Sequence, residues 1–123
     1  MDSIHTQVRV VGLKHHGFGG VSPHIHEDLD LGFEREPRNN HDPNAIAVSF
    51  EWCGTSVMIG YIAKSDAEEI APLLDGGAKL KLRCLDTPKK TSAFLRAEFY
   101  GAPAIPTPKR QRSAPRDRIE VWL

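Results

Sequence analysis

One segment of the chain alternates between apolar and polar residues with a period of two. Its apolar positions are Ile46, Val48, Phe50 and Trp52, and the positions between them are Ala47, Ser49 and Glu51. The alternation predicts a β-strand, because successive side chains of a strand point to opposite faces of the sheet. Cys53-Gly54-Thr55 suits a tight turn into a second strand-like segment at 56–62. The two segments are therefore expected to pair as an antiparallel hairpin.

Other segments also have the composition or alternation of strands. They lie at 7–13, 29–36, 79–85 and 92–100, and a further candidate lies at 118–123. The segment at 79–85 alternates strictly and is expected to carry a basic row, Lys79, Lys81 and Arg83, on its outer face. Residues 15–28, which include Gly17-Phe18-Gly19-Gly20, are predicted to form a loop.

One helix is predicted after the hairpin. Ser65 and Glu68 have the spacing of a capping box, and Gly76-Gly77 ends the segment at about Asp75. Pro72 predicts a kink or a break into two short turns. Short strands joined by turns, with this single helix, predict a mainly β fold: a small OB-like β-barrel of six or seven strands with one short α-helix. A β-sandwich is the alternative.

The length of 123 residues fits one domain with a single core. We predict a barrel domain over 1–100, a Pro-rich basic connector over 101–117 and a possible closing strand over 118–123.

The net charge is zero, but residues 1–78 hold 5 Lys and Arg against 12 Asp and Glu, whereas residues 79–123 hold 11 against 4. The basic excess favours a polyanion as ligand, although internal pairing with the acidic part would fit the same count.

The sequence also indicates where the protein is located and whether its two cysteines form a disulfide. It contains no apolar run long enough to cross a bilayer, and its N-terminal residues lack the features of a signal peptide. A cytoplasmic protein, or a nuclear one in a eukaryote, is expected, with no membrane partner. Cys53 and Cys84 lie in separate strand-like segments and are expected to be buried thiols rather than a disulfide.

A dense polar loop precedes the alternating strand. Pro37 and Pro43 have no backbone N–H to donate, and the loop is rich in side chains that can bond their own backbone, namely Asn39, Asn40, Asp42 and Asn44. Such a loop can be rigid without helix or sheet. Rigid polar loops are suitable places to hold a ligand.

Three features follow one another in this part of the chain: Glu36-Pro37, then Asp42 before Asn44-Ala45-Ile46-Ala47-Val48, then Gly60-Tyr61-Ile62. On these residues, a stretch of about 8–85 resembles the HIRAN domain, a DNA-end-binding module found in some DNA-repair helicases. The resemblance implies a stand-alone, non-catalytic module without a cofactor. Its ligand would be the 3′-hydroxyl end of single-stranded DNA, in repair or replication, and a helicase or nuclease is a candidate partner protein.

The resemblance also implies roles for individual residues. Asp42 would accept the terminal hydroxyl, Lys14 and Lys64 would hold phosphates, and Tyr61 would stack on a base or bond a phosphate. His15, His16 and His41 stand at stacking positions where the family often has tyrosine. Ordinary roles also fit these residues: Asp42 could cap only its own turn, the histidines could be plain surface, and Tyr61 could be a strand aromatic.

Two other functions fit parts of the sequence. A protein-interaction barrel could use the basic run Lys109-Arg110-Gln111-Arg112 to bind an acidic partner. The six histidines, with His24 and His26 on one side of an extended segment, raise the alternative of a His-dependent metallohydrolase. However, no further metal-ligand spacing, phosphate loop or nucleophile motif is found in the sequence.

Overall fold

The computed structural model describes residues 3–104, in which six antiparallel strands form a closed barrel. The strands are β1 (Ile4–Val11), β2 (Asp30–Arg35), β3 (Ile46–Trp52), β4 (Thr55–Ile62), β5 (Lys79–Cys84) and β6 (Leu95–Ala102). Neighbours around the barrel follow the order β1-β4-β3-β2-β5-β6, and β6 pairs with β1 from Ile4↔Gly101 to Val10↔Leu95. The prediction of a mainly β, OB-like small barrel is confirmed.

Barrel closure does not require the strand predicted at 118–123, because β6 already completes the ring. That segment, the basic run at 109–112 and most of the predicted connector at 101–117 lie outside the described residues.

The core confirms the alternating pattern of the strands. Ile46, Val48 and Phe50 of β3 are buried, and they meet buried residues from the other strands, including Val10, Ile59, Leu82, Leu95 and Phe99. The rings of Phe33 and Phe99 pack edge to face with centroids 5.0 Å apart. Trp52 departs from the pattern: it lies at the end of β3, is 39% exposed, and stacks on His24 at 3.7 Å.

The hairpin between β3 and β4 is confirmed. Trp52 pairs with Thr55, and the two residues between them have positive φ, 52° at Cys53 and 80° at Gly54. This is the geometry that a two-residue turn needs to match the twist of its strands. Because Cys53 occupies the turn it is exposed, so the prediction of a buried thiol there is wrong. Cys84 is buried as predicted, and desolvation raises the pKa of its thiol to about 11.

The prediction of a loop over 15–28 is wrong in part. Residues Phe18–Val21 form a short helix, α1, and single turns of 3-10 helix lie on either side of it, at Leu13–His15 and Ser22–His24. Phe18, Val21 and Ile25 are buried, so this segment contributes to the core. Gly17 donates its N–H to the Met58 carbonyl at 2.9 Å, which fixes the segment against β4. A helix of four residues with two glycines is too short to show a helical period.

The helix α2 (Lys64–Asp75) begins and continues differently from the prediction. Its N-cap is Ala63, with no side-chain cap, so the capping box at Ser65 and Glu68 is wrong. The carboxylate of Asp66 instead accepts the backbone N–H of Arg9 on β1, at 2.9 Å. The helix continues through Pro72 without a break and ends at Gly76. Its inner side buries Ala67, Ile70 and Ala71 against the barrel.

Candidate nucleic-acid interface

The polar loop between β2 and β3 is held by its own hydrogen bonds. The Asn39 Oδ1 atom accepts the backbone N–H groups of His41 at 2.8 Å and Asp42 at 3.1 Å. The Asn39 amide also donates to Glu36 Oε1 at 3.0 Å, and the Glu36 N–H donates to the Ala45 carbonyl at 2.9 Å. One side chain, Asn39, therefore fixes the backbone that presents His41 and Asp42.

Asp42 uses one carboxylate oxygen inside the loop. Its Oδ1 atom accepts the Asn44 N–H at 2.9 Å, which is the turn-capping contact expected of an Asp before Pro-Asn. Within residues 3–104, no group hydrogen bonds to its Oδ2 atom. The side chain is half-buried. Asp42 thus caps its turn and still presents an acceptor oxygen.

Arg35 clamps the loop to the end of α2. Its Nη1 atom donates to the carbonyls of Pro43 and Ala45, both at 3.0 Å. Its Nε and Nη2 atoms donate to the two carboxylate oxygens of Asp75, both at 2.9 Å. The guanidinium fork suits this arrangement, because it can satisfy a carboxylate and carbonyls at once. The sequence holds no local signal for the contact, since 40 residues separate the partners.

The ion pairs Arg35–Asp75 and Arg96–Asp86 predict how the stability of the fold depends on pH. Hydrogen bonding to Arg35 lowers the pKa of Asp75 from its ordinary 3.8, and hydrogen bonding to Arg96 lowers the pKa of Asp86. A carboxyl whose pKa is lower in the folded state stabilises the fold above its unfolded pKa, and this contribution is lost as the pH falls through the folded value. We therefore expect the urea midpoint to fall as the pH is lowered below about 4.

The Asp75→Asn variant tests whether the Arg35–Asp75 pair contributes to this loss of stability in acid. It should be less stable than the natural protein at neutral pH and should show a weaker fall in acid. Parallel pH profiles for the two proteins would contradict the assignment to Asp75.

Tyr61 joins the polar loop to the segment after β1. Its hydroxyl donates to Glu36 Oε1 at 2.8 Å, and this bond raises the pKa of Tyr61. Its ring lies 5.7 Å from the His16 ring, tilted by 59°. The hydroxyl proton is thus already used within the protein, which favours a role for the ring rather than for the hydroxyl as a phosphate donor.

A first cleft brings four of the predicted site residues together. It has a volume of about 400 Å³ and is lined by His41, Asp42, Tyr61 and Lys64, together with Val11, Asn39, Ala45 and Ile62. The carboxylate and the ammonium group are thereby placed around an apolar floor. That combination suits a ligand with one flat apolar part, one donor hydroxyl and one anionic group.

A second cleft contains two more of these residues. It has a volume of about 590 Å³ and is lined by Lys14 and His15, together with Gly12, Leu13, Lys90, Thr91, Ser92 and Ala93. His16 lines neither cleft, but it contacts Tyr61 of the first cleft and follows His15 of the second along the chain. The residues Lys90 to Ala93 were missed by the sequence analysis because they lie beyond the stretch that resembles HIRAN domains. The adjacent lysines Lys89 and Lys90 were the available signal.

Other predicted features lie apart from the clefts. Within residues 3–104, no group of three or more His, Cys, Asp or Glu side chains is arranged to hold a metal ion. His24 stacks on Trp52, and the His26 Nδ1 atom lies 2.9 Å from the Glu27 carbonyl. In the basic row of β5, Arg83 bonds Glu98 and lies 4.6 Å from the centroid of the Tyr100 ring.

Among the described residues, no helix is long and apolar enough to span a bilayer.

Comparisons with known proteins agree with this architecture. No match was found among curated proteins. Two solved structures are similar: a protein from Lactobacillus plantarum (TM-score 0.67, 22% identity, 81% of this chain and 97% of that one) and the HIRAN domain of human HLTF (TM-score 0.58, 21% identity, 81% and 80%). At these identities the structures show a shared fold alone. The family model for the HIRAN domain, however, matches residues 4–102, so the chain belongs to the HIRAN-domain family, which is known for DNA binding.

Proposed function

We propose that this domain binds single-stranded DNA without chemistry of its own and captures its free 3′-hydroxyl end in the first cleft. The observation that carries the proposal is the position of Asp42. Its Oδ1 atom is bonded to the loop, whereas no group of residues 3–104 bonds its Oδ2 atom, in a cleft that also contains Lys64. In such a role the domain would present a DNA end to a helicase or nuclease partner during repair or replication.

The carboxylate of Asp42 gives selectivity for the end of the strand. An ionised carboxylate only accepts hydrogen bonds, so it can accept from a terminal hydroxyl. A 3′-phosphate or a continuing strand would instead bring a negative phosphate to the same place, where the two charges repel. Because the loop bonds hold Asp42 from one side, the carboxylate cannot easily turn away from the ligand.

Base stacking would come from the rings around the first cleft. His41 and Tyr61 line it, and His16 lies against Tyr61. Aromatic faces bind any base, because every base has a π-face, so the sequence preference should be weak. The bond from Tyr61 to Glu36 holds its ring in one orientation, which reduces the entropy lost on binding.

Phosphate binding would come from lysines in both clefts. Lys64 lies in the first cleft, and Lys14 and Lys90 lie in the second. The described residues show no salt bridge from any of the three. An ammonium group is a point charge without the fork of arginine, so binding should be strongly dependent on salt.

The proposal is tested by comparing the binding of single strands that end in a 3′-hydroxyl or in a 3′-phosphate. The natural protein should bind a single strand with a 3′-hydroxyl at least ~10-fold more tightly than the same strand with a 3′-phosphate, because a hydrogen bond to a charged group is lost and a repulsion is added. Fluorescence anisotropy at one fixed salt concentration measures both. Strands that differ only in a 5′-phosphate serve as the control and should bind equally. Equal affinity for the two 3′ ends would remove end recognition from the function.

A further inference from the structure

A third cleft lies on the outer surface of β1 and β6, beside the two already described. It has a volume of about 350 Å³ and is lined by Arg9, Phe94 and Arg96, together with Gln7, Val8 and Asp66. Phe94 is 47% exposed, the largest exposed fraction among the exposed large hydrophobic residues of 3–104. None of its lining residues takes part in the proposed capture of the DNA end.

We propose that the third cleft is an upstream subsite for the DNA strand: one base stacks on Phe94 while Arg9 holds a neighbouring phosphate. The inference rests on the proposed function, because it assumes that the bound ligand is a single strand. It extends that function from capture of the last nucleotide to a longer footprint on the barrel.

The residues that line the third cleft are close in sequence to residues that line the other two. Along β1, Arg9 lies two residues before Val11 of the first cleft, and along α2, Asp66 lies two residues after Lys64. The Ala63 N–H donates to the Arg9 carbonyl at 2.8 Å, so these two elements are joined at this point. On the other side, Ala93 lines the second cleft and Phe94 lines the third. On the proposed path, a DNA strand that leaves either cleft along this surface would pass Phe94.

The outward position of Phe94 fits the alternation of side-chain direction along β6. Leu95, Ala97 and Phe99 point into the core, and Phe94, immediately before β6, is exposed. Within residues 3–104 its ring takes part in no aromatic pair. An exposed ring without a stacking partner is suited to a base, and stacking of this kind tolerates any sequence.

The charges of the third cleft favour a phosphate at Arg9. Arg9 and Arg96 are direct cross-strand partners, an unfavourable placement for two like charges unless anions lie nearby. The Arg96 guanidinium is already bonded to Asp86 through Nε at 3.1 Å and Nη2 at 2.8 Å. Arg9 Nε lies 3.8 Å from Asp66 Oδ2, and the side chain is 54% exposed. Arg9 therefore keeps donors for a ligand, whereas Arg96 adds positive charge beside it.

Among the described residues that line this cleft, Asp66 is the one anion. Its Oδ2 atom accepts the Arg9 N–H at 2.9 Å and faces the Arg9 side chain, so its charge is partly compensated inside the protein. The bond to the backbone N–H does not need the Arg9 side chain. A phosphate could thus bind the outer N–H groups of Arg9 while Asp66 stays in place.

Strand length separates this subsite from the end-binding cleft. We compare a trinucleotide with a strand of ~12 nucleotides, within the range that one OB-type barrel covers, both with a 3′-hydroxyl. Phe94→Ala should weaken binding of the longer strand about 10-fold, because one stacked base is lost, and should leave the trinucleotide unchanged. Arg9→Gln should lower the salt slope for the longer strand by about 0.7, the value for one phosphate contact on a single strand.

Matched controls use residues outside the clefts. Leu73→Ala removes another exposed apolar side chain, on α2, and Lys81→Gln removes an exposed charge on β5. Neither should change the length dependence. All variants are first checked for the natural melting temperature.

The outcomes distinguish the two hypotheses. If Phe94→Ala and Leu73→Ala bind the longer strand equally well, the subsite is wrong, while preference for the 3′-hydroxyl in the natural protein would still support end capture. If the natural protein has no preference between 3′ ends, the end-capture hypothesis fails whatever Phe94 does. If no variant changes DNA binding but Phe94→Ala abolishes binding of a protein partner, the surface is a protein-docking site and the inference is overturned.

Discussion

Replacing Gly60 with alanine is expected to lower the free energy of unfolding by about 3 kcal/mol, because the new methyl group has no space. A Cβ atom at Gly60 would overlap the carbonyl oxygen of Val11 and would lie 3.1 Å from Val10 Cγ1 and 3.2 Å from Leu13 Cδ2. The Val11 oxygen belongs to the backbone of β1, so a change of rotamer cannot relieve the overlap. The strand itself must move.

The affected contact is the seam that joins β1 to β4. Only two residue pairs form this ladder, Val10↔Ile62 and Val11↔Tyr61, so few bonds between the two strands resist their separation here, although β1 also pairs with β6. Opening the seam would expose part of the barrel core, including Val10 and Ile59. It would also move Tyr61, which lines the first cleft, relative to His16.

Thermal denaturation measures the effect. For a domain of this size, a loss of about 3 kcal/mol corresponds to a fall in Tm of roughly 15 °C. Gly20→Ala is the matched control, because a Cβ atom there meets no atom within 4 Å. Its stability should lie within about 0.5 kcal/mol of the natural protein. A Gly60→Ala protein that melts with the Gly20→Ala control would show that β1 and β4 do not need this close approach.

The strands, the β3–β4 hairpin and the end of α2 could be predicted from the sequence. Alternation located the strands to within a few residues, and the turn residues Cys53 and Gly54 identified the hairpin. The end of α2 at Gly76 was also correct. These features are local, since each depends on side-chain direction or backbone preference within a short segment.

The parts that could not be predicted depend on contacts between distant segments. Asp66 lies in the first turn of α2, and its carboxylate bonds the backbone of Arg9, 57 residues away in sequence. Arg35 flanks the polar loop, yet its carboxylate partner is Asp75. The clefts themselves arise where loops from different strands meet. A family resemblance can point to Asp42 and Lys64, but Lys90 and Phe94 lie outside the stretch that carries it.

The Asp42→Asn variant is expected to produce the largest change in DNA-end selectivity. Asparagine keeps an oxygen that can accept the Asn44 N–H, so the turn remains capped, whereas the negative charge is lost. The free atom of the side chain becomes an amide donor. Affinity for a 3′-phosphate should therefore rise while affinity for a 3′-hydroxyl falls, and the ratio of at least ~10 expected for the natural protein should approach one.

Asp42→Ala separates this change from damage to the loop. It removes the cap as well as the charge, so it should lose about 1 kcal/mol of stability in addition to end selectivity. Asp42→Asn should lose the selectivity with little change in stability. The difference between the two variants isolates the contribution of the capping bond.

Glu34→Gln is the control for long-range electrostatics. Glu34 is an exposed carboxylate on β2 and does not line the first cleft, so its removal changes the net charge by the same amount. A general charge effect would raise affinity for both 3′ ends equally and would shrink at high salt. If Glu34→Gln and Asp42→Asn behave alike, Asp42 does not read the strand end. If only Asp42→Asn changes the ratio, and does so at both low and high salt, the discrimination arises from direct contact with the terminal group.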